Sequence, residues 1–269
     1  MRAACIQLCS GLDIDANIDH TDTLIRKAHK AGARFVATPE NTHFMGGGAQ
    51  ALFAAISPEA DCRAVAHFGA LAKELSIDLL IGSLAVKLSD TKAANRSFLF
   101  GPDGLIKARY DKLHMFDVEI NEVETWRESA NYTAGTKAVL ADVADIKLGL
   151  SICYDLRFAA LYKHYAKSGA QLLSVPSAFT AVTGEAHWQV LLRARATETS
   201  AYVIAPAQGG IHADGRATWG HSLIIDPWGK VLAGLDHDKP GYCLADIDPS
   251  LVADIRRRLP AWQQETILP

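Results

Sequence analysis

Short apolar runs alternate with amphipathic segments along the whole chain, and no other feature of the sequence limits its fold so strongly. Residues 2–8 form an apolar run typical of a strand. Residues 17–31 carry apolar side chains at helical spacing until Gly32 ends the pattern. The Gly101–Gly104 turn, between two apolar runs, indicates a β-hairpin. Together these patterns predict an α/β fold in which helices are layered over mixed sheets.

The same criteria locate the remaining elements. Further strands are predicted at residues 35–38, 78–88, 95–100, 105–110, 138–143, 147–152, 171–175, 202–205, 222–225 and 242–247. Further helices are predicted at residues 61–75, 158–167, 185–199 and 249–259, and the last two strands are expected to flank the turn at 226–229. No linker or repeat divides the chain. A single domain over residues 1–269 is therefore expected, with a core at about 2–247 and a C-terminal helix and tail at 249–269.

Charge and cysteine content exclude several classes of protein. Lys and Arg total 27 and Asp and Glu total 30, whereas nucleic-acid or membrane-surface binding needs a clustered basic excess. No apolar run is long enough to span a membrane, and no signal peptide is evident. The five cysteines are scattered, without metal-ligand spacing, so reduced thiols in the cytoplasm and no metal site are expected.

Three residues with chemical potential stand at the ends of predicted strands. Cys153 follows such a strand and precedes a predicted helix, whose N-terminus would favour a thiolate and donate N–H groups to an oxyanion. Glu40 is placed to act as a general base, and Lys112 is placed to stabilise an oxyanion. Taken singly, each has a simpler interpretation: a buried core cysteine, a capping or surface acid, and a solvated lysine.

The histidines offer a competing hypothesis. His114, His187 and His221 are candidate partners for Cys153 in a Cys–His dyad. No HxxxH or HExxH spacing indicates a metal site. Because His187 opens a predicted helix and His221 precedes a predicted strand, packing or substrate contact is the simpler interpretation for both.

The segments around the three strand-end residues resemble the Glu–Lys–Cys triad of the nitrilase superfamily of carbon–nitrogen hydrolases. They read ATPEN around Glu40, YDKLH around Lys112 and ICYDLRF around Cys153, in the order of that family. The resemblance runs from residue 2 to about residue 263. It implies a four-layer αββα sandwich, usually dimeric, that needs neither a metal nor an organic cofactor.

The resemblance also implies a role for each residue at the site. Cys153 would be the nucleophile, Glu40 the general base, and Lys112 with the backbone N–H of Tyr154 the donors to the oxyanion. Glu128, which lies in a polar loop, occupies the place of the family's second glutamate. That glutamate positions the lysine and the reacting groups.

Other segments narrow the resemblance to one branch. The nucleophile sequence Cys-Tyr-Asp, where true nitrilases have Cys-Trp-Glu, is similar to that of the amidase branches. Residues 176–179, 183–188 and 192–196 resemble the Nit amidases, which include omega-amidases and deaminated-glutathione amidases, and residues 207–210, 220–222 and 257–260 resemble the latter. Residues 121–124 depart from the family, because they replace its usual Pro-Gly near the mouth of the site. The predicted substrate-binding residues are Phe179, Thr183, His187 and Arg216.

The expected activity is hydrolysis of a non-peptide amide bond in a small carboxylated metabolite, through a thioester intermediate. The expected substrate is deaminated glutathione, which would give 2-oxoglutarate and Cys-Gly. The alternatives are an omega-amidase acting on α-ketoglutaramate and an N-carbamoyl amino acid amidohydrolase. A non-enzymatic scaffold of the same fold is disfavoured because Glu40, Lys112 and Cys153 are all present.

Overall fold

Two six-stranded sheets form the centre of a computed structural model, which describes residues 1–120 and 125–264. With strands numbered in chain order, the first sheet has the spatial order β16 (Gly241–Asp246), β1 (Arg2–Gln7), β2 (Phe35–Ala37), β3 (Asp78–Lys87), β4 (Ala93–Phe100) and β5 (Ile106–Asp111). The second has the order β15 (Val231–Gly234), β14 (Leu223–Ile225), β11 (Tyr202–Ala205), β10 (Leu172–Ser174), β9 (Ile146–Leu150) and β8 (Leu140–Val143). Two small hairpins pair β6 (Asp117–Glu119) with β7 (Thr125–Arg127), and β12 (Gly209–Ile211) with β13 (Ala217–Trp219).

Helices cover the outer face of each sheet. The α-helices of the described residues are α1 (Ile14–Lys30), α2 (Gly48–Ala55), α3 (Arg63–Leu75), α4 (Ala159–Lys167), α5 (Ala181–Thr199) and α6 (Pro249–Arg258), of which four form this cover. The buried faces of α1 and α3 pack on the first sheet, and those of α4 and α5 pack on the second. The inner faces of the sheets meet in a single apolar core, so the predicted αββα sandwich is confirmed. Within the described residues, no helix combines the length and the apolar character that crossing a membrane needs.

Two helices begin earlier than predicted because a side chain caps them. The side chain of Asp13 accepts hydrogen bonds from two backbone N–H groups of the first turn of α1, which therefore starts at Ile14. Thr180 caps α5 in the same way, through the backbone N–H of Thr183. His187 consequently lies inside α5, and the prediction that it opens a helix is wrong.

The strands after residue 222 are connected differently from the prediction. The turn at 226–229 joins β14 to β15, which was not predicted, instead of joining the two strands expected to flank it. Strand β16 belongs to the other sheet, where it pairs antiparallel with β1. The residues of β15 are alternately half-buried and exposed, so this short strand lacks the apolar run that identifies a buried strand.

Gly82 allows the two sheets to approach closely beside the site described below. A Cβ atom at this position would lie 2.0 Å from the carbonyl oxygen of Thr38 and 2.4 Å from Cβ of Pro176. Thr38 lies two residues before Glu40, and the carbonyl of Pro176 accepts a hydrogen bond from the backbone N–H of Cys153. Any larger residue would therefore separate two segments that carry predicted catalytic groups.

Candidate active site

A cleft of about 320 Å³ brings together residues that are far apart in the sequence. Its lining includes four predicted catalytic residues and the residue whose N–H is the predicted oxyanion donor, namely Glu40, Lys112, Glu128, Cys153 and Tyr154. Three of the four predicted substrate-binding residues, Phe179, Thr183 and Arg216, also line it. The fourth, His187, contacts the rim through Arg157, with 3.3 Å between its Nδ1 and a guanidinium nitrogen.

A buried lysine between two carboxylates forms the base of the cleft. Nζ of Lys112 lies 2.8 Å from Oε1 of Glu40 and 2.8 Å from Oε2 of Glu128. The Lys112 side chain is only 2 % exposed. Burial lowers the pKa of Lys112, but the charges of Glu128 and Glu40 outweigh it and raise the pKa well above its usual value. The lysine is therefore a fixed cation at neutral pH.

The two glutamates differ in how their oxygens are used. Both oxygens of Glu128 are engaged: Oε1 accepts from Lys112 and Asn95, and Oε2 accepts from the backbone N–H of Phe116 at 2.7 Å. In Glu40, the bonds from Lys112 and Asn95 both end on Oε1, at 2.8 and 2.9 Å. Among the hydrogen bonds of the described residues, none ends on Oε2 of Glu40, whereas both oxygens of Glu128 are engaged.

Cys153 is held in a backbone conformation that L-amino acids rarely adopt. Its φ is +50°, and it begins a short 3₁₀ helix, Cys153–Arg157, directly after the segment that follows β9. Burial and the neighbouring Glu40 charge raise the pKa of the thiol well above its usual value, although Lys112 acts in the opposite direction. Burial and Glu40 therefore outweigh the groups that favour the thiolate. The thiol needs a base, and Glu40 is beside it.

Asp155, which no sequence pattern singles out, links the cysteine segment to the lysine segment. Its buried carboxylate accepts from the hydroxyl of Tyr110 at 2.7 Å and from the backbone N–H of Ile152 at 2.9 Å. It also accepts from the backbone N–H of His114 at 3.0 Å. Tyr110 and His114 flank Lys112 on either side, so one carboxylate fixes the nucleophile relative to the lysine.

Two arginines lie over aromatic rings higher in the cleft. The Arg157 guanidinium lies 5.4 Å from the ring centre of Phe179, and the Arg216 guanidinium lies 4.0 Å from that of Trp126. Arg216 also lies 3.7 Å from a carboxylate oxygen of Asp214. Aromatic faces hold guanidinium groups while leaving their N–H donors able to bind carboxylates.

The histidines have other partners than Cys153. The ring of His114 is bonded to Asp155 and stacked on Phe158, and Nδ1 of His221 lies 2.6 Å from the carbonyl oxygen of Trp219. None of the hydrogen bonds within the described ranges joins a histidine to Cys153. In residues 1–120 and 125–264, no group of three or more His, Cys, Asp or Glu side chains is placed to hold a metal ion. Residues 121–124, where the sequence departs from the family, lie outside the described residues.

Comparison with known proteins gives a consistent assignment. The family model described as carbon-nitrogen hydrolase matches residues 2–257. The chain is 40 % identical to a deaminated glutathione amidase of Synechocystis sp., over 99 % of this chain and 98 % of that protein. It is 35 % identical to the human omega-amidase NIT2, over 98 % and 94 % of the two chains.

The similarity extends to a solved structure. The C. elegans NitFhit protein superposes with a TM-score of 0.92 at 37 % identity, covering 98 % of this chain. The chain spans 64 % of the length of that longer protein. The family match, the relatives named as amidases and the shared architecture agree with one another. The chain is therefore a member of the carbon–nitrogen hydrolase family.

Proposed function

We propose that the chain is a cysteine-dependent amidase that cleaves deaminated glutathione to 2-oxoglutarate and Cys-Gly through a thioester on Cys153. One observation carries the reaction type: a protonated, buried thiol lies beside Glu40, whose partners Lys112 and Asn95 both bind the same carboxylate oxygen. A nucleophile, its base and a fixed cation thus converge at the base of one cleft.

In the first half of the reaction, Glu40 takes the proton of the Cys153 thiol while the sulfur attacks the amide carbonyl. The new S–C bond converts the carbonyl oxygen into an oxyanion, which Lys112 and the backbone N–H of Tyr154 stabilise. Glu40 then gives its proton to the amide nitrogen as the C–N bond breaks. The amine leaves, and the acyl group remains on the sulfur as a thioester.

In the second half, a water molecule replaces the amine. Glu40 takes one proton from the water, and the oxygen attacks the thioester carbonyl. As the C–S bond breaks, the Cys153 sulfur leaves as a thiolate and recovers the proton from Glu40. Lys112 stays protonated throughout, held between Glu40 and Glu128 at 2.8 Å from each.

Charge in the upper cleft supports a carboxylated substrate. Deaminated glutathione carries a carboxylate at each end, and Arg157 and Arg216 lie against different aromatic rings of the lining. The relative named deaminated glutathione amidase supports the same substrate. The relative named omega-amidase supports a second candidate, α-ketoglutaramate, which has only one carboxylate.

A product-resolved assay separates these functions. Purified protein is incubated with deaminated glutathione, α-ketoglutaramate and an N-carbamoyl amino acid, with Cys153→Ala as the blank. We expect release of Cys-Gly to exceed release of ammonia from α-ketoglutaramate. Faster ammonia release would identify an omega-amidase instead, and turnover of the carbamoyl compound alone would reject both assignments.

We also propose that the chain forms a homodimer in the cytoplasm and unfolds as one domain. None of the five cysteines, all within the described residues, is in a disulfide, which suits a reducing compartment.

Helix α5 exposes the side chains of Val182 and Val190, at 58 % and 62 %, and exposed apolar side chains favour subunit contacts. Analytical ultracentrifugation should give a dimer that Val190→Glu weakens, and calorimetry should give one transition. A monomeric wild type or two separate transitions would reject these assignments.

A further inference from the structure

Asn95 on strand β4 contacts several of the proposed catalytic groups, although no sequence pattern singles it out. Its side-chain nitrogen lies 2.9 Å from Oε1 of Glu40 and 3.0 Å from Oε1 of Glu128. Its backbone carbonyl accepts a hydrogen bond of 3.0 Å from the backbone N–H of Lys112. One residue therefore links both carboxylates and the lysine segment.

The orientation of the amide is set by the two glutamates. Asn95 is 2 % exposed, and its Oδ1 is buried without a hydrogen-bond partner among the described residues. The two N–H groups of this amide are therefore the part of the side chain that the surrounding residues use. The opposite orientation would place this oxygen against two carboxylates, which is less favourable.

We propose that Asn95 is a positioning residue that, together with Lys112, anchors Oε1 of Glu40 so that Oε2 is the oxygen that exchanges protons with Cys153. Because this assignment relies on Glu40 as the base of the proposed mechanism, it deepens that mechanism and is independent of which amide is the substrate. Glu128 receives the second N–H of the same amide, which fixes the two carboxylates relative to each other.

The chemistry of an amide explains why asparagine suits this position. Two carboxylates share one ammonium group here, so the buried cluster carries an excess negative charge. A second cation at position 95 would neutralise that charge and make Glu40 a weaker base, whereas a third carboxylate would oppose the ionised form of Glu40. A neutral donor of two hydrogen bonds stabilises both ionised carboxylates without changing the net charge of the cluster.

Asn95→Leu and Asn95→Asp test this role because both side chains are close to asparagine in size. In Asn95→Leu we expect kcat to fall about 10- to 100-fold with little change in KM, since the base is displaced but the upper cleft is intact. In both variants the acid limb of the pH–rate profile should move to higher pH by about one unit, because the ionised base is less stabilised.

Alkylation of Cys153 by iodoacetamide provides a second readout that needs no amide substrate. We expect both variants to be alkylated more slowly than wild type, with the same displacement along the pH axis, and Glu40→Gln to remove that pH dependence. If wild type is alkylated in this way but hydrolyses none of the amides, the proposed function fails while the role of Asn95 is still tested.

Ser97→Ala is the matched control. Ser97 is also buried on β4, two residues further along the same face, and its hydroxyl donates to the carbonyl of Gly82 at 2.6 Å. Its loss should lower the melting temperature but leave the pH profile and the alkylation rate unchanged. Asn95→Ser, which adds neither bulk nor charge, gives the same comparison if a larger variant does not fold. The proposal would be overturned if the Asn95 variants had the acid limb and the alkylation rate of wild type. It would also be overturned if Ser97→Ala moved the acid limb as far as the Asn95 variants do.

Discussion

The floor of the cleft and its wall are held together by different interactions. The floor consists of Glu40, Asn95, Lys112, Glu128 and Cys153. The wall consists of Trp126, Arg157, Phe179, Thr183 and Arg216. Hydrogen bonds of 2.8–3.1 Å join the polar groups of the floor to one another. The wall arginines are instead held over aromatic rings at 4.0–5.7 Å. The floor is thus preorganised before substrate arrives, whereas the wall presents guanidinium groups that rest on aromatic faces. Substitutions in the floor should mainly lower kcat, and those in the wall should mainly raise KM.

Removal of the nucleophile should have the largest effect. Cys153→Ala leaves no atom that can carry the acyl group, so kcat should fall by more than about 10⁴-fold. Turnover is measured together with thermal unfolding. Cys9→Ala, a change at a half-buried cysteine outside the cleft, is the control and should retain wild-type turnover. Substantial amide hydrolysis by Cys153→Ala would assign the chemistry to another group.

Removal of the cation should have the next largest effect. Lys112→Met keeps roughly the length of the side chain but removes a proposed donor to the oxyanion. The loss of one such donor typically lowers kcat by about 10²- to 10³-fold. It also leaves the carboxylates of Glu40 and Glu128 without their shared partner, which should lower the free energy of unfolding by about 3–5 kcal/mol. Kinetics and urea unfolding measure the two effects. An unchanged kcat would show that the oxyanion is stabilised elsewhere.

His43 lies three residues after Glu40 of the floor, and its side chain is buried. Burial lowers its pKa from 6.5 to about 4. Its imidazole is therefore neutral in the folded protein at a pH where the unfolded chain binds a proton. The resulting contribution to stability is complete above pH 6.5 and is lost as the pH falls towards 4, and it amounts to about 3 kcal/mol.

Urea unfolding between pH 7 and pH 4 measures the contribution of His43 to the free energy of unfolding. The free energy of unfolding of wild type should fall across that interval, and His43→Gln should remove much of the slope while shifting stability at pH 7 by less. His20→Gln, at an exposed position on α1, is the control and should leave the slope unchanged. Equal slopes in wild type and His43→Gln would reject the assignment.

Substitution in the wall should have the smallest effect. Arg157→Met keeps the apolar stem on Phe179 but removes the guanidinium, so KM for a carboxylated amide should rise about 10-fold while kcat changes little. Arg34→Met, outside the cleft, should change neither constant. A fall in kcat with unchanged KM would place Arg157 with the floor and erase the distinction between the two regions.

The sequence predicts the floor better than the wall, and the reason is physical. Glu40, Lys112 and Cys153 each stand at a strand end with a characteristic flank, and the three flanks in that order identify them together. Asn95 and Asp155 have no such signal, because their roles arise only when distant segments pair. The sequence does not predict helix α2, because this helix begins at a glycine and has no side-chain cap. It does not predict the short hairpins β6–β7 and β12–β13 either, because their strands lack an apolar run.

The pairing of β16 with β1 has a consequence for how the chain folds during synthesis. Among the strands of residues 1–120 and 125–264, β1 is made before the others, yet one of its two neighbours in the sheet is β16, which is made after all of them. Until then β1 has an unpaired edge, which is able to recruit strands of other chains. We therefore expect nascent chains that stop short of β16 to depend on chaperones, and late truncations to aggregate although the whole cleft has been made.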